Sequence, residues 1–239
     1  MPVVVDAPMK EEFQRVTADE LLGPLNSVER KHAPSALFVA GDVGICRDFA
    51  RVSVIGTREV SSAGLQRTRA LVEMLVSRNV VVVSGLARGV DACAHQTTIE
   101  RKGKTIAVLG TPLDVVYPKE NAGLQRRIMT EHLAVSQFPS GHVVSRKNFA
   151  IRNRTMALLS HATVIVEAGE GSGTLHQGWE ALRLGRPLFL MESLIKRADL
   201  RWPKEMLDYG AQILTRDAVG VLFEFLPQEG YVGVAEVPF

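Results

Sequence analysis

The stretch that most constrains this chain is Val80 to His95, VVVVSGLARGVDACAH. Four consecutive valines before Ser84 and Gly85 predict a strand covered on both faces, because a half-exposed strand alternates apolar with polar residues. Gly85 and Gly89 then allow a tight backbone turn, and Asp91 to Glu100 carries helix-forming residues. A central strand, a glycine turn and a helix therefore follow one another without a break. In a parallel α/β sheet such a turn lies at the carboxyl edge of the strands, where the first amides of a helix are unpaired and ligands bind.

The same rhythm extends in both directions. Apolar runs at Leu37–Gly41, Val52–Gly56, Thr105–Gly110, Leu133–Gln137, Thr163–Ala168 and Pro187–Met191 predict strands. Ser61–Ser77, Glu120–Glu131, Asn148–Ser160 and Leu175–Leu184 predict the helices between them. Gly41–Phe49 reads as a loop, and Glu29–His32 (ERKH) as a charged connector after a short helix at Thr17–Leu22. Beyond Glu192 the pattern weakens to a helix at Lys204–Tyr209, a strand at Gln212–Leu214 and a helix at Arg216–Phe225. Such alternation implies right-handed crossovers and an α/β fold, a largely parallel sheet with helices on both faces. The 239 residues suffice for one large domain with appendages. Residues 1–35 are expected to form an N-terminal extension packed on the core, 36–226 the main domain and 227–239 a C-terminal tail.

Composition matters here for what it excludes. With 28 Lys and Arg against 26 Asp and Glu the formal charge is +2, so any basic surface must be local. Cys46 and Cys93 have no second pair, which argues against a disulfide framework or a cysteine-rich zinc site and suits a reducing cytosol. The start, MPVVVDAPMKEEF, lacks the basic head and apolar run of a secretion signal, and no run is long enough to cross a bilayer. A cytoplasmic location away from membranes is expected.

Residues that follow the strands collect at one edge: Thr57 and Arg58; Gly85 and Arg88; Gly110 and Thr111; Phe138 to Gly141; and Ser172, Gly173 and Thr174. Any one such loop is ordinary βα chemistry, but five together, two with arginine, suit a phosphate, since glycine permits close backbone approach and guanidinium gives forked charged donors. Neither G-x-G-x-x-G nor G-x-x-x-x-G-K-[ST] occurs, which disfavours a dinucleotide dehydrogenase and a P-loop NTPase. From His132 to Val166 there is no Asp or Glu, yet Arg146, Lys147, Arg152 and Arg154 are interleaved with Asn148, Phe149 and Asn153. That mixture suits a polynucleotide strand, with charge tracking the backbone and a ring for a base to stack on. Catalytic constellations are thin. Cys93 and His95 point in different directions on a helix, Asp91 is more often a cap than a base at such a position, and Asp114 and Glu167 at strand ends are equally ambiguous. No metal site, cofactor site or nucleophile with its base is expected.

GTRE at Gly56–Glu59, SGLARGVDACAH at Ser84–His95, AVLGTPLDVVYPKEN at Ala107–Asn121, SQFPSG at Ser136–Gly141 and NFAIRNRTMALLS at Asn148–Ser160 together resemble the DNA-processing protein A family, DprA or Smf. The resemblance covers Pro34 to Arg186 and implies an extended Rossmann-like domain that binds single-stranded DNA in a basic pocket. It further implies a homodimer, protection of the strand, loading of a RecA-type recombinase during DNA uptake or recombination, and no enzyme activity. Motif matching assigns the pocket to Thr57 and Arg58, where the family has Ser-Arg, with Gly85, Gly110, Asn148, Phe149, Arg152 and Asn153.

The chain resembles the bare core, without room for the helical and winged-helix domains of many members. Past Glu167 it departs: GSGTLHQGWEAL, at Gly171–Leu182, is similar to the glycine-threonine turn of LOG-type nucleotide hydrolases. Those enzymes need a glutamate where this chain has Gln177, an amide that cannot act as a base, so the alternative of a nucleotide sensor or N-glycosidic hydrolase requires Glu180 to substitute.

Overall fold

A computed structural model of the chain describes residues 13–227 and the backbone of Val3–Val4. β1 (Val3–Val4) and β2 (Gln14–Val16) precede two short helices, α1 (Ala18–Leu22) and α2 (Ser27–His32). β3 (Leu37–Gly41) and α3 (Gly44–Arg47) lead to β4 (Arg51–Gly56), α4 (Ser62–Ser77), β5 (Val81–Ser84), α5 (Val90–Glu100) and β6 (Thr105–Leu109). β7 (Val115–Val116), a 3-10 turn at Lys119–Asn121, α6 (Ala122–Glu131), β8 (Leu133–Ser136) and α7 (Arg146–Leu159) follow. The last described elements are β9 (Ala162–Glu167), α8 (Thr174–Arg183), β10 (Leu188–Met191), α9 (Glu192–Ile195), α10 (Trp202–Asp208), β11 (Gln212–Leu214) and α11 (Gly220–Glu224).

Nine strands form one sheet in the order β11-β10-β9-β4-β5-β6-β8-β3-β2. The run from β11 to β8 is parallel; β3 and then β2 extend it antiparallel at one edge. Every residue of β4, β5, β6 and β8 is buried, which is why these segments read as nearly unbroken apolar runs. Val81 and Val83 pack on one face with Ile55, Met156 and Leu159, whereas Val80 and Val82 pack on the other with Leu71, Leu75 and Ala94. The two-residue alternation thus feeds both layers, each valine contributing about 1.5–3 kcal/mol relative to exposure.

Three local expectations fail for identifiable reasons. Glu29–His32, expected as a connector, is the second half of α2: the Asn26 side chain accepts the Val28 and Glu29 N–H groups, and the Glu29 carboxylate accepts the Asn26 N–H, closing a capping box. Gly41–Phe49, expected as a loop, contains α3, whose Ile45 and Cys46 are buried in the core with Val81, Ile106 and Val108. The expected helix from Arg216 is helical only over Gly220–Glu224, because the Thr215 hydroxyl first accepts the Ala218 N–H and holds a separate turn. The expected tail lies outside the described residues from position 228 onward, as does most of 1–12.

The topology places a crevice. β5 flanks β4 on one side and β9 on the other, so the chain leaves β4 and β9 in opposite lateral directions and opens a gap at their carboxyl ends.

Candidate nucleic-acid interface

That gap is a cavity of about 470 Å³. Its lining includes Thr57 and Arg58 after β4, Phe149, Arg152 and Asn153 from α7, and Ser172, Gly173 and Thr174 before α8. Hydrogen bonds lock these segments together. The Thr57 N–H donates to the Glu167 carbonyl at 2.7 Å, the Thr174 hydroxyl to the Gly56 carbonyl at 3.0 Å, and the Asn153 amide to the Gly173 carbonyl at 3.1 Å. The Glu167 carboxylate accepts the Ser61 N–H and hydroxyl at 2.9 and 2.7 Å and pairs with Arg67, fixing the start of α4 behind the Thr57–Arg58 loop.

Arg152 is the centre of the site. It is only 6% exposed, yet its Nη1 donates to the carbonyls of Gly85 and Val108 at 2.6 and 2.7 Å and its Nε to the Asn153 amide oxygen at 3.0 Å. All three acceptors are neutral, so the positive charge is held in place without being cancelled by contact. Nη2 takes no part in these bonds, and the residue lines the cavity. Burial pulls the Arg152 pKa below its ordinary value, opposed by the Asp91 carboxylate. Burial likewise pushes Asp91 up, opposed by Arg152 and by the N–H groups that the carboxylate accepts. A guanidinium stays charged under such a shift, so a buried, incompletely paired cation faces the cavity.

Two glycines make this possible by having no side chain. A Cβ on Gly85 would stand 2.3 Å from the Arg152 guanidinium, and one on Gly110 would stand 2.6 Å from the Phe149 ring. Both residues therefore act as seats for the groups that line the cavity. Between them the loop after β5 is clamped from two sides. Asp91 accepts the N–H groups of Gly85 and Ala87, and the Asn121 amide donates to the carbonyls of Leu86 and Ala87 at 2.8 and 3.3 Å. Leu86, fully buried, is held at φ 59, a left-handed conformation costly for a leucine.

Arg146 and Lys147 occupy the first turn of α7, which has no acidic residue. This opposes the preference of a helix N-terminus for negative charge and leaves the turn able to meet an anion.

Of the fourteen residues marked in the sequence, eight line this cavity: Thr57, Arg58, Phe149, Arg152, Asn153, Ser172, Gly173 and Thr174. Gly85 and Gly110 sit beneath it as seats, and Arg88 lines a neighbouring cavity. Three lie elsewhere. The buried Thr111 hydroxyl donates to the Val115 carbonyl, the buried Asn148 accepts the Ser145 hydroxyl, and Arg154 pairs with Glu180 at 3.3 Å. Asp91, undecided between ligand and structural roles, braces the loop and also lines the cavity. Asn121, Tyr117 and Lys119 were not marked; their signal was the motif VVYPKEN, whose residues cluster only once the turn after β7 folds back. Gln177 is 1% exposed and donates to the Ser53 hydroxyl at 3.0 Å, while Glu180 is held by Arg154 and Arg183 outside the lining. Among the described residues no group of three or more His, Cys, Asp or Glu could hold a metal ion, and no helix is long and apolar enough to cross a membrane.

The family model for DNA recombination-mediator protein A matches residues 16–223. The DNA processing protein DprA of Streptococcus pneumoniae is 34% identical over 223 residues, 92% of this chain and 78% of that protein. Its X-ray structure superposes with a TM-score of 0.75 at 31% identity, covering 88% of this chain and 74% of that one. Protein Smf of Escherichia coli is 33% identical over 201 residues, 84% of this chain, and this chain spans only 54% of its length. A structure of DNA processing protein A from Helicobacter pylori, described for its single-stranded DNA binding mode, superposes with a TM-score of 0.74 at 27% identity over 90% of this chain and 99% of that one. The motifs that gather at the carboxyl ends of β4 and β9 are thus carried on a shared fold, and the chain belongs to the DNA recombination-mediator protein A family.

Proposed function

We propose that this chain binds single-stranded DNA without catalysing a reaction on it, at the cavity between β4, β9 and α7. The observation that carries the reading is Arg152, a buried cation held by neutral acceptors at a cavity that also presents Arg58 and Phe149. Such a site offers a backbone phosphate a charged donor in a low-dielectric wall and offers a base an aromatic face. Sequence tolerance follows, since neither charge nor stacking distinguishes one base from another. A strand that reaches both Arg58 and Arg152 displaces counterions, so affinity falls with salt. Handing the strand to a RecA-type recombinase, homodimer formation and a cytoplasmic setting are parts of the proposal that rest on family membership. The hydrolase alternative has little support in the geometry: an amide bonded to Ser53 stands where the base would be, and Glu180 is paired with two arginines.

Fluorescence anisotropy with labelled oligothymidylate across a salt series tests the reading. Affinity should fall log-linearly with salt, and Phe149→Ala should weaken binding about tenfold, within the ~1–3 kcal/mol of one base stack. Equal affinity for duplex and single strand, or no binding at low salt, refutes it.

A further inference from the structure

Beside the cavity just described lies a second, of about 420 Å³, lined by Arg58, Ala87, Arg88, Tyr117, Pro118, Lys119 and Glu120. The two share Arg58 and Ala87, and each falls in the range of about 300–1,000 Å³ typical of sites that hold one small ligand. Phe149 belongs to the lining of the first and Tyr117 to that of the second.

The rings themselves touch, with centroids 5.2 Å apart and planes tilted by 51°. A base sandwiched between two parallel rings needs about 7 Å, twice the ~3.4 Å stacking rise, so the pair cannot enclose one base. It can present one ring to each of two bases. Charge is distributed to match. Arg58 lines both cavities, and Arg88 and Lys119 line the second alone. The single carboxylate on that side, Glu120, is 3.8 Å from Arg88, and both side chains are more than half exposed, so the pair is weak and readily exchanged for a phosphate.

The wall is also braced. The Asn121 amide fixes the Leu86 and Ala87 carbonyls, while the Thr111 hydroxyl and the Gln125 amide both donate to the Val115 carbonyl, two residues before Tyr117. Preparing a rigid aromatic face in advance lowers the ordering cost of binding.

We propose that the Tyr117 cavity is a second nucleotide subsite, in which a single strand continues from the Phe149 cavity across Arg58 and lays its next base against Tyr117. This inference rests on the single-stranded DNA reading. Arg58 then holds the phosphate between the two nucleotides, and Arg88 and Lys119 hold the one that leaves. A free mononucleotide has the same chemistry but gains from one subsite only, so ligand length separates the two sources.

The test is titration of oligothymidylates of one to six nucleotides against the full chain, with 2-aminopurine replacing one base at a time. The affinity gained on adding the second nucleotide should drop roughly tenfold in Tyr117→Ala and return in Tyr117→Phe, and 2-aminopurine quenching at one position should follow the same pattern. Lys119→Glu, a change at an exposed side chain, should lower the salt slope by about one and covers the case in which Tyr117→Ala fails to fold. Wild-type affinity and quenching in both Tyr117→Ala and Lys119→Glu, with Phe149→Ala still impaired, overturns the second subsite and leaves the first standing. If Phe149→Ala is silent too, or no oligonucleotide binds, the underlying reading falls and this inference falls with it.

Discussion

Two buried arginines, Arg152 within α7 and Arg51 against its C-terminal end, are finished differently. Arg51, 5% exposed at the start of β4, turns every guanidinium nitrogen onto protein: Nε donates to the Leu159 carbonyl at 2.6 Å, Nη1 to the carbonyls of Cys46 and Phe49, and Nη2 lies 3.0 Å from His161 Nε2. It thereby satisfies one carbonyl at the C-terminal end of α7, that of Leu159, and ties it to the segment between α3 and β4 through the carbonyls of Cys46 and Phe49. Arg152, midway along the same helix, spends Nε and Nη1 on protein, leaves Nη2 without a protein partner and lines a cavity. Equal burial therefore does not mean equal purpose. An arginine whose donors are all enclosed holds the fold together, and one left partly unpaired beside a cavity is available to a ligand.

Exchanging each arginine for an apolar residue should separate these roles with the largest effects in the molecule. Arg51→Met leaves three carbonyls without this donor, those of Leu159 and Cys46 in buried bonds and that of Phe49 in a half-buried one, and should cost about 3 kcal/mol of unfolding free energy in a denaturant titration, with the folded fraction still binding DNA at wild-type affinity. Arg152→Met should lose on the order of 100-fold in affinity for a single strand, because a charge-assisted phosphate contact disappears from a low-dielectric wall. Gly85→Ala sharpens the contrast, since it keeps the Arg152 charge but places a methyl group where the guanidinium rests, and should approach the same loss. If Arg51→Met instead weakens binding as much as Arg152→Met at equal folded fraction, the division between a structural and a binding arginine fails.

Much of the Arg152 end was legible in the sequence and little of the Arg51 end was. Unbroken valines, the glycine after each strand and the acid-free run around Phe149 follow from local rules: burial on both faces, turns without a Cβ, charge concentrated on one helix. Arg51 was invisible because its partners at Cys46, Phe49, Leu159 and His161 come together only in the fold, and His161 is 110 positions away. The clamp of Asp91 and Asn121 on Leu86 escaped for the same reason, with Asn121 reaching across 35 positions of chain. Capping of α2 was readable in principle from N-S-V-E at Asn26–Glu29.

His161 beside Arg51 and Asp91 beside Arg152 should also respond to acid with opposite sign, and His95 follows His161. Burial, then the nearby charges of Arg51 and Arg186, hold His161 far below its ordinary pKa, and burial holds His95 down to about 3. Between about pH 6.5 and 3 the unfolded chain binds protons at both histidines that the folded chain refuses, so their contribution is intact above pH 6.5 and lost as pH falls. Each adds up to about 1.4 kcal/mol per pH unit to the slope of unfolding free energy against pH. Asp91, raised by burial, works the other way, because the folded chain takes up its proton at a higher pH than the unfolded chain does. His161→Gln should flatten the slope below pH 6.5 by about one proton, and Asp91→Asn should steepen it. A slope unchanged by His161→Gln would mean that this histidine is protonated in the fold.

The smallest effect is the sharpest check on which side of α7 faces DNA. Arg154 stands two positions after Arg152, about 200° around a helix, so the two side chains cannot share a face. Its side chain is 45% exposed, places the guanidinium 3.3 Å from Glu180 and does not line either cavity. Arg183 still pairs with Glu180 at 3.1 Å when the half-exposed Arg154 is removed, so the loss is less than about 1 kcal/mol, and one remote positive charge is screened within a Debye length of ~8 Å at physiological salt. Arg154→Ala should therefore shift the melting transition only slightly and change single-strand affinity less than twofold at 0.15 M salt, where Arg152→Met changes it by about two orders of magnitude. A loss in Arg154→Ala comparable to that of Arg152→Met would place the strand on the α8 side of the helix, because only contact at close range gives an effect of that size through solvent.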